Sequence, residues 1–142
     1  MNGELGNQVF LGIDHPAVAA ADVDALAEWY CATLGYAKVF RHEKPVWILR
    51  AADGTLIEIM PRDATPRPER TTWTPGWSHV AIRVSDFAAA ERLLDERGVA
   101  WTGEVSQAVG GGKVRNFTDP EGNLLQILQR TDDLPGAGGQ AR

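Results

Sequence analysis

Three histidines, two methionines and one cysteine are all that this chain of 142 residues holds of the side chains that most often carry soft-metal or redox chemistry. With Cys31 alone, no intrachain disulfide can form, and its place in a predicted helix reads as a small buried apolar group rather than a reactive thiol. No apolar run approaches the roughly 18 residues that a membrane span requires. The stretch Met1-Asn-Gly-Glu-Leu-Gly6 also lacks the basic and apolar regions of a signal peptide, so a cytoplasmic location is expected. Basic residues are outnumbered, 14 Lys and Arg against 19 Asp and Glu, giving a net charge of -5. That balance argues against a nucleic-acid partner, whose phosphates need a basic face.

What the chain does have is a sentence said twice. Gly12-Ile-Asp-His-Pro-Ala-Val18 and Trp77-Ser-His-Val-Ala-Ile-Arg-Val84 each read as a strand with a histidine near its start, followed by an acidic helix start at Asp22 or Asp86. The spacing persists: His15 to His79 and Asp22 to Asp86 are 64 positions apart, Gly35 to Gly98 is 63 and Gly54 to Gly122 is 68. Each half ends on a matching strand, Asp53-Gly-Thr-Leu-Ile-Glu-Ile-Met60 and Glu121-Gly-Asn-Leu-Leu-Gln-Ile-Leu128, which sets Glu58 against Gln126.

In order, residues 1–8 read as a loose arm and Val9 to Ala20 as the first strand, with Pro16 removing one ladder donor beside His15. Asp22 caps a helix whose apolar positions Val23, Leu26, Ala27, Tyr30 and Leu34 recur at helical spacing until Gly35. Strands over 36–42, 45–51 and 55–60 complete a βαβββ module of residues 9–60. Pro61 to Gly76, with prolines at 61, 66, 68 and 75, is a linker. The second module, 77–130, repeats the plan with Ser85 as helix cap, a helix over 86–97, Gly98 as its stop, and strands near 99–105, 112–118 and 123–129. Ala108 to Gly112 is a glycine loop without the Lys-Ser/Thr and helix start of a phosphate cradle, and the glycine-rich tail from Thr131 reads as disordered. The expectation is a single α+β domain whose two βαβββ modules form a cupped, eight-stranded mixed sheet with helices on its outer face. Either half alone lies near the lower limit for independent folding, so the halves are expected to pack together or against a second copy, as a homodimer.

Strand alternation groups His79 with Ala81 and Arg83, Glu58 with Leu56 and Met60, and Gln126 with Leu124 and Leu128, while branched apolar residues flank Glu58 and Gln126 on both sides. A carboxylate or amide in such surroundings is costly unless it is paired or ligates a metal. Four polar residues at paired positions of a duplication, His15, Glu58, His79 and Gln126, are candidates to converge on one divalent ion. Arg83 is a candidate holder of an anionic substrate group, with a rim ion pair as the competing reading. Trp47, Trp73, Trp77 and Trp101 are candidate walls of an apolar cavity, Trp47 and Trp77 foremost.

In order along residues 10 to 130, Ile13-Asp-His15, Trp29-Tyr-Cys-Ala-Thr-Leu-Gly35, Leu56-Ile-Glu-Ile-Met60, Ser78-His-Val-Ala-Ile82 and Asp119-Pro-Glu-Gly-Asn-Leu-Leu-Gln-Ile127 resemble the vicinal oxygen chelate superfamily of glyoxalases, bleomycin-resistance proteins and extradiol dioxygenases. The resemblance implies a cupped sheet, a central divalent metal and commonly a dimer. It carries metal ligands onto His15, Glu58, His79 and Gln126, and makes Glu58 the only carboxylate placed to move a proton. Gln126 departs from the glyoxalase pattern, which usually has glutamate there. Two imidazoles, a carboxylate and an amide suit Zn, Ni, Co, Fe or Mn, and ligand type alone does not choose among them. The function expected is a metal-dependent lyase or isomerase that chelates neighbouring oxygens of a small substrate and stabilises an enediolate. A drug-sequestering binding protein without turnover and a ring-cleaving dioxygenase, the latter using His15, Glu58 and His79 on iron, are the alternatives.

Overall fold

The computed structural model of the chain describes residues 9–43 and 45–135; the arm expected over 1–8 and the end of the expected tail lie outside the described residues. The first module runs β1 (Ala17–Ala20), α1 (Val23–Leu34), β2 (Ala37–His42), β3 (Val46–Arg50) and β4 (Leu56–Pro61). The second runs β5 (Val80–Arg83), α2 (Phe87–Glu96), β6 (Ala100–Trp101), β7 (Ser106–Gln107), β8 (Lys113–Thr118) and β9 (Leu124–Gln129). Hydrogen bonding divides the expected eight strands into two sheets, β1-β4-β3-β2 and β5-β9-β8-β6, and a short additional strand, β7, pairs with β8. The α+β class and the two-module plan are as the sequence indicates.

The duplication holds at the level of register. β1 lies parallel to β4 with Ala17 opposite Glu58, and β5 lies parallel to β9 with Ala81 opposite Gln126. The turns match as well. The N–H of Ala51 donates to Thr55 O and that of Gly54 to Ala51 O, while Asp119 N–H donates to Asn123 O and Gly122 N–H to Asp119 O. Gly54 and Gly122 take φ of 88° and 86°, a left-handed conformation that favours glycine.

The first strand is shorter than its sequence pattern. Regular pairing covers only Ala17–Ala20, because β4 begins at Leu56 and Pro16 has no N–H to donate; its carbonyl accepts from Glu58 N–H at 3.0 Å. Upstream of it, Phe10, Leu11 and Ile13 are left 85%, 85% and 86% exposed. Asp22 caps α1 by accepting from Ala25 N–H, and Gly35 ends it with φ 75°. The cap of α2 is Asp86, not Ser85, since the Asp86 carboxylate accepts from Ala89 N–H three residues on.

One continuous buried cluster joins the modules, with Leu26, Tyr30, Leu49 and Ile59 from the first and Phe87, Leu94, Phe117, Leu125 and Ile127 from the second. Tyr30 Oη donates to the buried Asp119 carboxylate at 2.9 Å, and Arg97 donates to Thr33 O at 2.8 Å. The remaining ties are reciprocal. Glu121, in the β8–β9 turn, accepts from Ala21 and Asp22 N–H just past β1, and Asp53, in the β3–β4 turn, pairs with Arg83 at the end of β5. Asp53 and Glu121 are equivalent positions of the two modules. Cys31 is partly exposed, and burial pushes its thiol pKa up, in keeping with an inert side chain.

Candidate metal and substrate site

Alternation along β4 turns Ile57 and Ile59 inward, to 4% and 0% exposure, and leaves Glu58 on the other face, half-buried. His15, two residues before Ala17, comes to the same place: its Nε2 stands 3.2 Å from Glu58 Oε2. Its Nδ1 stands 2.7 Å from Asp14 Oδ2. The hydrogen bond to Asp14 raises the His15 pKa above its ordinary value of 6.5; desolvation opposes this and the Glu58 charge adds to it. In the neutral ring, Asp14 accepts from Nδ1–H and leaves the Nε2 lone pair beside Glu58, which is the tautomer a metal needs.

The second module builds the same device from neutral parts. Ser78 Oγ donates to Thr72 O at 2.7 Å, so its one hydrogen is used, and its contact of 2.8 Å with His79 Nδ1 must be accepted from Nδ1–H. The Nε2 lone pair of His79 is thereby left for a ligand. Gln126, which shares a face with Ala81 and Asn116, donates from Nε2 to Asn116 Oδ1 at 2.9 Å, and its Oε1 has no partner among the described residues. Asp14, Ser78 and Asn116 were not singled out by spacing. The signal for the first two was their position immediately before each duplicated histidine.

The four candidate ligands therefore stand at matching register positions, His15 in contact with Glu58, and His79 two residues before Ala81, which lies opposite Gln126. Among the described residues, no three His, Cys, Asp or Glu side chains are grouped to hold one ion. The donor chemistry fits a divalent metal, an imidazole and a carboxylate on one half and an imidazole and an amide oxygen on the other. It fits as two half-sites.

The candidate substrate residues divide. Arg83 Nη2 donates to Asp53 Oδ2 at 3.0 Å, which is the rim ion pair and ties the modules. Trp47 is not on the ligand face. It lies opposite Ile59, on the helix side, where its Nε1–H donates to Asp24 of α1 at 2.8 Å and Lys38 and Arg41 sit over its ring. Trp101 mirrors it in the second module, with Nε1–H to Asp95 and Arg115 over the ring. Trp73 and Trp77 are 90% and 95% exposed, Trp77 two residues before His79.

Residues 12–127 match the family model described as Glyoxalase/Bleomycin resistance protein/Dioxygenase superfamily. Among solved structures, a glyoxalase/dioxygenase from Nostoc punctiforme is 19% identical with a TM-score of 0.72, over 93% of this chain and 96% of its own. A glyoxalase family protein from Enterococcus faecalis is 23% identical with a TM-score of 0.71, over 84% and 98%. A glyoxalase/bleomycin resistance protein/dioxygenase superfamily member from Sphaerobacter thermophilus is 20% identical with a TM-score of 0.68, over 84% and 98%. At these identities the likeness speaks for the fold. No curated protein is significantly similar in sequence.

Proposed function

Since the chain belongs to the Glyoxalase/Bleomycin resistance protein/Dioxygenase superfamily, we propose that it is a cytoplasmic, metal-dependent lyase or isomerase acting on a small substrate with neighbouring oxygens. The observation that carries the reading is the His15–Glu58 pair at 3.2 Å, repeated in register by His79 and Gln126. His15, Glu58, His79 and Gln126 would hold a divalent ion, Zn, Ni, Co, Fe or Mn, which when bound would polarise the substrate oxygens as a Lewis acid. Asp14 and Ser78 fix the imidazole tautomers and Asn116 orients the Gln126 amide. Glu58 is the only carboxylate of the four and accepts and returns the substrate proton. Its nearness to His15 gives the proton a second resting place at Nε2 whenever that nitrogen is not ligating.

The working unit in this reading is a homodimer, in which the half-site of one copy is completed by that of a second. Two things support it: among the described residues no three His, Cys, Asp or Glu side chains are grouped to hold one ion, and the strongly exposed apolar residues Ile13 and Trp77 stand two positions before His15 and His79. Metal analysis of protein purified without chelator should find divalent metal that is lost in His15→Ala and in His79→Ala, in a particle twice the mass of the 15.4 kDa chain. Metal retained at full stoichiometry in both variants would end this reading. The binding-protein alternative draws on the same lack of a three-residue cluster among the described residues, and a substrate panel showing stoichiometric binding without turnover would favour it. Oxygen-dependent ring cleavage with iron alone would favour the dioxygenase version.

A further inference from the structure

Two neighbouring cross-strand rows on the face that carries Glu58 concern this site. Phe40, Ile48, Glu58 and Ala17 stand opposite one another in the first, and Ala37, Arg50 and Leu56 in the second. Residues paired across a sheet share a face, so Arg50 lies on Glu58's side, one row away. Two residues along a strand is about 6.8 Å. The patch around Glu58 is apolar and open to solvent: Phe40 and Met60 are 55% and 36% exposed, and Ile48 and Leu56 are half-buried.

Two strand arginines lie on the ligand-bearing faces, Arg50 and Arg83. Arg83 is held by Asp53. Arg50 is exposed, lines an open crevice with Gly35, Ala37 and Asp53, and has no hydrogen bond or ion pair among the described residues. The acid nearest in sequence, Asp53, is already committed to the Thr55 N–H and hydroxyl and to Arg83. A guanidinium is a fork of donors matched to an oxyanion. Here it sits at the edge of an apolar floor, one row from a metal half-site.

We infer that Arg50 is the specificity determinant of this site, holding the anionic end of a substrate whose apolar body lies across Ile48 and Leu56 and whose chelating oxygens reach Glu58. The substrate class is a small amphiphilic oxyanion, a carboxylate about 7 Å from its neighbouring oxygens. This rests on the metal-chelation reading above.

The test uses zinc-loaded full-length protein and two probes, adipic acid monohydroxamate and its methyl ester. Both present neighbouring oxygens, and only the first carries a distal carboxylate. Calorimetric titration should show the acid binding about tenfold or more tighter than the ester. In Arg50→Ala the two should bind alike with the ester's affinity unchanged, in Arg50→Lys part of the preference should remain, and in Arg83→Ala it should persist in full. A phosphonate-ended hydroxamate preferred over the carboxylate would replace carboxylate by phosphonate as the class while leaving Arg50 its role. Equal, zinc-dependent binding of acid and ester by the wild type overturns the Arg50 assignment and leaves the chelation reading standing. Binding of neither probe, or binding indifferent to zinc, overturns the chelation reading and the Arg50 assignment with it.

Discussion

The two modules of this chain share a register and differ in charge. In the first, a carboxylate and a second acid surround the histidine: Glu58 at 3.2 Å and Asp14 at 2.7 Å. In the second, the same places hold an amide and a hydroxyl, Gln126 and Ser78, and the amide is steadied by Asn116, where the first module has Ile48 opposite Glu58. Backbone geometry was copied and chemistry was not. The lesson is that a duplicated scaffold supplies two equivalent positions, while a carboxylate stands at only one of them, Glu58 opposite Ala17 and not Gln126 opposite Ala81.

The sharpest way to break that comparison is to make the halves alike. Glu58→Gln gives both modules an amide, and turnover of any substrate found should fall by at least about 100-fold, because an amide oxygen coordinates but does not take a proton. Metal content, read by elemental analysis, should largely survive. Full activity in metal-loaded Glu58→Gln would mean that a water or a substrate group carries the proton.

The next contrast is between the turns that precede β4 and β9. Asp119 occupies the place of Ala51, and its carboxylate accepts from Glu121 and Asn123 N–H, from the Asn123 amide and from Tyr30 Oη. Asp119→Ala strips the buried Tyr30 hydroxyl of its partner and should cost about 2–4 kcal/mol, seen in denaturant or thermal unfolding. Tyr30→Phe, which removes the hydroxyl together with its need for a partner, should cost less. The reverse order would show that the turn, and not the tie between modules, is what Asp119 stabilises.

Much of this was legible before any coordinates. The duplication, both helices, the Asp22 cap and the pairing of Glu58 with Gln126 follow from spacing alone, because periodicity and left-handed glycines are written locally. Three things were not. The length of β1 depends on where its partner β4 begins, which is a property of another segment. The face on which Trp47 lies follows from its register with Ile59, and the alternation of Val46-Trp-Ile-Leu-Arg50 reads equally well with either face inward. Whether the half-sites meet within a chain depends on how whole modules pack, which no residue pattern within either one encodes.

A smaller effect separates Asn116 from its counterpart Ile48. If Asn116 orients the Gln126 amide oxygen, Asn116→Ala should weaken zinc affinity by about 10-fold, and Gln126→Ala should weaken it at least as much while leaving some turnover in excess metal. Ile48→Ala, on the same row of the other sheet, should leave zinc affinity nearly unchanged. Competition against a fluorescent chelator reads all three, and an Ile48→Ala loss equal to that of Asn116→Ala would remove the orienting role.

The smallest expected effect lies in the reciprocal ties, where Asp53 and Glu121 each reach the end of the other module's first strand. The Asp53 pKa is held below its ordinary 3.8, first by the bonds from the Thr55 hydroxyl and N–H and then by Arg83, with desolvation opposing. A carboxyl with a depressed folded pKa adds stability that is fully present above the unfolded value and is lost as pH falls through the folded one. Asp53→Asn should therefore destabilise modestly at neutral pH, by less than about 1 kcal/mol for so solvent-accessible a pair. The gap from wild type should start to close as pH drops below the ordinary carboxylate range and vanish once both states are protonated. Because Thr55 is the larger cause, Arg83→Ala should retain most of this acid dependence. If Arg83→Ala abolishes it as fully as Asp53→Asn does, the link between modules, and not the local turn, is what depresses the Asp53 pKa.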